Sequence, residues 1–138
     1  MGRAVVMLAR IVPWRVDNLN AKAAPGATAI IAPQVDFVVG LAERAIPLFA
    51  FVHVRSLTGT IVTGPAFRIG TNGTHDNVCP IFTVPASAVA GNIFPLPFAS
   101  PLTAPPITAS DIIAELQASA VGPTAMTLDV ILVGLLVG

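Results

Sequence analysis

An all-β fold is what this 138-residue sequence predicts: a jelly-roll-like antiparallel β-sandwich in one domain, 1–138, with 1–27 set apart as a candidate N-terminal arm and connector. Three observations predict it. The apolar runs are short and rich in β-branched residues, as strands are. Thirteen prolines and eleven glycines punctuate the chain from end to end, which leaves little room for long helices. About eight strand-like segments recur at a spacing of roughly ten residues, the rhythm of a sandwich or jelly roll.

Taken in order, Ala4–Val12 reads as a first strand closed by Pro13. Asp17–Ala27 is a connector of small residues with a Pro25-Gly26 turn. Thr28–Ala32 and Val35–Val39 read as short strands separated by Pro33. In Leu48–Arg55, Phe49, Phe51 and His53 alternate with Leu48, Ala50, Val52 and Val54. Both faces are apolar, which predicts a central or covered strand. Thr58-Gly59 reads as a turn or bulge before a strand at Thr60–Thr63, and Ala66–Gly70 as the next strand. Thr71–Pro80 is predicted to be a polar loop. Ile81–Asn92 is a helical turn or strand broken by Pro85. Phe94–Pro106 is extended and proline-rich, which places it at an edge or in a long crossing loop. Asp111–Ser119 and Ala125–Val137 read as an antiparallel hairpin around Gly122-Pro123-Thr124. A helix over Ser110–Ser119 is the rival reading, because Ser110 and Asp111 suit a cap and Ala, Glu, Leu and Gln favour helix.

Composition speaks to function. Apolar residues make up 54% of the chain and charged residues only 10%, with a net charge of zero. No apolar run has the length of a membrane-spanning helix, and Thr83–Ser110 is charge-free but repeatedly broken by proline. A soluble monomer of this size normally carries more charge. The excess apolar surface is therefore expected to meet other subunits rather than a membrane. Zero net charge provides no attraction to nucleic acid. Six of the seven cations are arginines, the cation favoured at interfaces; a GC-rich coding bias accounts for them equally well. The N-terminus has no signal-peptide pattern, so synthesis in a host cytoplasm is expected.

Two segments are candidate contact sites. Around the N-terminal run, Arg3, Val5, Met7, Arg10, Trp14 and Arg15 suit an arm that adds a strand to a neighbouring subunit, with Trp14 as anchor. The same run also suits an ordinary first strand of its own domain. Asn72, His75, Asp76 and Asn77 form the candidate exposed loop.

Catalytic signals are weak. His75, Asp76 and Cys79 are close in sequence, but no third group is at hand to orient them, and a polar loop tied to its own backbone explains them as well. One cysteine and two histidines are too few for a structural zinc site. The acids are scattered, and Glu115 and Asp129 would repel each other across the expected hairpin. No enzyme, metal or cofactor is expected.

The segment Thr60–Val78, TIVTGPAFRIGTNGTHDNV, resembles a pattern of small virion proteins of tailed bacteriophages, the capsid decoration (cement) and head-fibre family. The residues that carry it are Gly64, Pro65, Phe67, Ile69, Gly70, Thr71, Asn72 and Asn77. The closing run Thr127-Leu128-Asp129-Val130 with Gly134-Leu135 fits as well, so that the resemblance covers roughly the C-terminal two-thirds of the chain. It implies a compact β module that trimerises, binds the major capsid protein lattice and stabilises the capsid surface of a virion. The alternative is a receptor- or glycan-binding fibre or tail module using the loop.

Overall fold

The computed structural model describes residues 9–33, 44–71, 74–98 and 111–137. They form eight strands and, among the described residues, no helix: β1 (Ala9–Asn20), β2 (Thr28–Ala32), β3 (Arg44–Thr58), β4 (Ala66–Thr71), β5 (Thr74–Thr83), β6 (Ile93–Pro95), β7 (Ile112–Ala118) and β8 (Ala125–Val137). Two four-stranded sheets result, ordered β1-β8-β3-β6 and β2-β7-β4-β5.

This order is that of a jelly roll. The chain pairs as one long antiparallel ribbon, β1 with β8, β2 with β7, β3 with β6 and β4 with β5. Rolling that ribbon lays β8 against β3 and β7 against β4, which completes both sheets. Burial follows the alternation of the strands. Ala50, Val52 and Val54 of β3 and Leu128, Val130, Leu132 and Leu136 of β8 point inward. They meet Phe67 and Ile69 of β4 and Ile112, Ala114 and Leu116 of β7.

Several elements differ from expectation, each for a physical reason. β1 does not stop at Pro13 but runs on to Asn20. It is an edge strand, and an edge tolerates a residue with no N–H to donate. The turn signal at Pro25-Gly26 holds, with Gly26 at φ 96°. β7 and β8 are both strands but not a hairpin, since they lie in different sheets. Ser119–Thr124 carries the chain across instead: Ala120 N–H donates to Ala21, Val121 bridges Thr63, and Thr124 N–H donates to Thr58. Gly122 has φ 108°, and a Cβ there would meet the Thr60 carbonyl at 2.4 Å. The helical reading of Ser110–Ser119 gives way to β7 because Ile112–Leu116 is buried on both faces between β2 and β4; packing overrides propensity. Most of the expected polar loop is β5, and Thr60–Thr63 contributes only the bridge at Thr63. Leu48–Arg55 lies within the longer β3, which is central as expected, and Ile93–Pro95 forms a sheet edge. Ala4–Leu8 and Val35–Val39 lie outside the described residues.

Trp14 shows how closely the first sheet is fitted. Its side chain is buried, and its ring lies over Gly134 of β8; a Cβ at Gly134 would come within 2.3 Å of the ring carbon Cζ3. Gly134→Ala should therefore displace the ring or part the two strands. The expected cost is about 1–3 kcal/mol, measured as a lower Tm and an earlier denaturant midpoint than wild type.

Candidate functional site

The outward face of the first sheet is built from cross-strand rows. Ile11 of β1, Leu135 of β8 and Ile46 of β3 lie side by side, and Pro13, Val133 and Phe49 form the next row. Arg15, Ile131, Phe51 and Pro95 form the third. Strand alternation sends these side chains away from the core. The rings of Phe49 and Phe51 meet edge to face at 5.6 Å, which confirms that they share a face. Ile11 is 68% exposed and Phe49 45%, and Ile93, which pairs with His53 at the charged end of the face, is 61% exposed. The described part of the chain therefore leaves a continuous apolar band on one side of the sandwich.

The fourth row is charged. Asp129 of β8 stands beside His53 of β3, and a bulge in β1 between Val16 and Leu19 lies opposite. Asn18 in that bulge has φ 58°, a conformation asparagine adopts more readily than most residues, and its N–H donates to Asp129 Oδ1 at 3.1 Å. His53 Nδ1 lies 3.0 Å from Asp129 Oδ2, and Arg55 Nε donates to Oδ1 at 3.2 Å. Arg15 Nη2 approaches Oδ2 at 3.8 Å and pairs with Asp17 at 2.7 Å. An ionised carboxylate only accepts, so Nδ1 of His53 carries the proton. The Asp129 side chain is only 3% exposed although it faces outward, because these groups cover it. Burial alone would raise its pKa; the bond from His53, the Asn18 N–H and the Arg55 charge together outweigh burial and hold it below the ordinary 3.8.

The second sheet has its own outward pair. Arg68 donates to Glu115 Oε1 through Nε at 3.0 Å and Nη2 at 2.8 Å, and Gln117 donates to the same oxygen. Glu115 and Asp129 thus never meet across a hairpin. They sit in different sheets, each paired with its own arginine.

The structure places the predicted contact residues unevenly. Arg10 and Arg15 are exposed on β1, but Trp14 is a core residue rather than an anchor offered to a neighbour. Between Ala9 and Asn20 the chain pairs with its own β8, as an ordinary first strand does. Arg3, Val5, Met7 and Asn72 lie outside the described residues. His75 and Asp76 fall on β5, with their side chains outside the description. Asn77 is exposed but engaged: its Oδ1 accepts from Thr71 N–H at 2.8 Å, and its Nδ2 donates to Thr71 Oγ1 at 3.0 Å. Cys79 is buried, and burial pushes its thiol up to about 12. A thiol kept protonated is a poor nucleophile. Sequence reading missed the Asp129 cluster. Its one signal is a lone carboxylate inside the otherwise apolar strand Leu128–Val137.

No protein-family model matches the chain, and no curated protein matches it by sequence. Solved structures do. A chain of the cyanophage Pam1 capsid asymmetric unit superposes with a TM-score of 0.61 at 12% identity, over 98% of this chain and 89% of that one. A chain of the capsid of Ralstonia phage GP4 gives 0.62 at 13% identity, over 94% and 84%. A chain of the acid-stable capsid of Helicobacter pylori bacteriophage KHP30 gives 0.51 at 9% identity, over 95% and 88%. Over the described residues the class is thus an eight-stranded jelly roll. Its fold is shared, nearly end to end, with chains of phage capsids.

Two outcomes test the site. Asp129→Asn should cost about 1.5–3 kcal/mol at neutral pH, the value of hydrogen bonds to a charged group. A carboxylate with a depressed folded pKa stabilises above its unfolded pKa and loses that contribution as pH falls through the folded value. The gap in stability between wild type and Asp129→Asn should therefore be full above about pH 4–5 and close below it, as followed by denaturant titration at each pH. Cys79 should resist a thiol reagent at about pH 8 in the folded protein and react readily once unfolded, as counted by intact mass.

Proposed function

We propose that this chain is a structural virion protein that decorates a bacteriophage capsid. In this reading it binds the lattice of the major capsid protein on the outer surface of the virion, as a homotrimer, and stabilises the shell. The observation that carries it is the apolar outward face of the first sheet. The capsid chains that share the fold nearly end to end support it.

The size of the face suits decoration. With strands about 4.8 Å apart and a rise of about 3.4 Å per residue, three strands over some seven residues and β6 over three cover on the order of 400 Å² in projection. A stable two-protein interface takes about 800 Å² from each partner. One face is thus too small to hold a partner firmly alone, whereas three linked copies gain from effective concentration. A protein that binds only the assembled shell stabilises it by mass action. The segment with Arg3, Val5, Met7 and Arg10 is the proposed contact between subunits, and the outward face the proposed contact with the lattice. Asn77 being engaged by Thr71 weakens the alternative of a glycan- or receptor-binding loop.

The test adds purified protein to bare phage shells and records their melting. Saturating protein should raise the shell Tm, and light scattering should give a mass near three times 14.1 kDa. Ile11→Glu with Ile93→Glu should leave the free protein's stability within about 0.5 kcal/mol and abolish the shell effect. Shells that melt unchanged with wild type would remove the reading; shells stabilised equally by the double variant would move the contact elsewhere.

A further inference from the structure

We infer that the gap between the two sheets, where the chain passes from β1 to β2, is a binding site for a compact, uncharged apolar molecule. The cavity there has a volume of about 190 Å³. Leu19, Leu116, Leu128 and Phe67 wall it, and Ala21 and Ala114 stand where longer side chains would fill it. The bulge between Val16 and Leu19 opens the gap by shifting β1 out of register with β8 just before the crossing.

The chemistry of the lining selects the ligand. None of the described residues that line the cavity is charged, so an ionised molecule would lose its hydration without compensation from them. Several polar groups around it are already engaged. Asn18 N–H donates to Asp129, Asn20 Oδ1 accepts from Lys22 N–H, and Leu116 exchanges backbone bonds with Gly26 and Ala27. A buried water needs two to four polar partners, and an apolar cavity of about 150 Å³ stays dry and takes benzene. A slightly larger space fits one aromatic or aliphatic ring, about six to nine heavy atoms. Phe67 offers the ring a wall against which to stack. Ala27 and Thr28, both exposed, border the cavity and mark its entry from solvent.

The experiment titrates the full chain with benzene and, separately, with benzoate, following methyl resonances by NMR. Benzene should produce saturable shifts confined to methyl groups that line the cavity, those of Leu19, Leu116, Leu128, Ala21 and Ala114 among them, and a Tm that climbs with its concentration; benzoate should do neither. Ala114→Leu should abolish the saturable shifts and raise the Tm of the ligand-free protein. Should that variant not fold, Ala27→Leu at the exposed entry should weaken benzene binding at least about tenfold. Absence of saturable shifts in wild type, equal binding of benzoate, or binding unaltered by the tested variant would each overturn the inference.

Discussion

β8 is the strand on which the first sheet depends. It is hydrogen-bonded to β1 along one edge and to β3 along the other, so β1 joins the sheet only through it and β3 takes most of its pairing from it. β8 lies at the C-terminal end of the chain, whereas β1 lies at the beginning. The sheet therefore closes only when the two ends meet, and the loop-closure entropy of nearly the whole chain is lost before those bonds form. The ribbon pairing reduces this difficulty. Once β4 and β5 have paired, each further pair along the ribbon closes a shorter remaining loop than it would from the open chain. The inward alternation of β8 then supplies the apolar area that offsets the entropy, and Gly134 leaves room for the Trp14 ring against it.

The few charges are used with economy. Two of the carboxylates, Asp129 and Glu115, are nearly buried, and each is met by arginine. The guanidinium is a planar fork that holds a carboxylate in fixed geometry, which an ammonium does not. The preference for arginine over lysine thus has an internal cause at Arg55 and Arg68, beside any use at a surface. Asp129 also ties three strands together through Asn18, His53 and Arg55. It closes one end of the apolar outward face with groups whose charges are mutually satisfied, so that a partner docking on the band meets no stray buried charge.

Much of the fold was legible because alternation and turn residues are local. β2 was read to the residue, and the positions of β3, β4, β7 and β8 follow from apolar periodicity and flanking glycine or proline. Partnership was not legible. Alternation tells which side chains share a face, not which strand lies alongside, and two apolar strands joined through Gly-Pro look the same whether they form a hairpin or cross between sheets. β5 was hidden by its polar first half, and the true extent of β1 by a proline that only an edge position permits. The Asp129 cluster draws on residues 18, 53, 55 and 129, which nothing in the linear order brings together. Trp14 reads equally as anchor or core until its partner glycine is known.

The apolar excess that first suggested assembly divides into two parts. The larger part is consumed by the two inner faces, where β3, β4, β7 and β8 bury nearly every aliphatic side chain they send inward. That part is internal packing and says nothing about partners. The remainder stands in register on the outward side of β1, β3, β6 and β8. Strand side chains on a solvated face are ordinarily polar, and among the described residues this face is polar at Arg15 and at its charged end and apolar elsewhere along the rows. Phe49 and Phe51, two residues apart on β3, already pack ring against ring on this face before any partner arrives. A preformed apolar surface loses little conformational entropy on binding. A small area can then be sufficient when several copies bind together, and this links the composition of the chain to the role proposed for it.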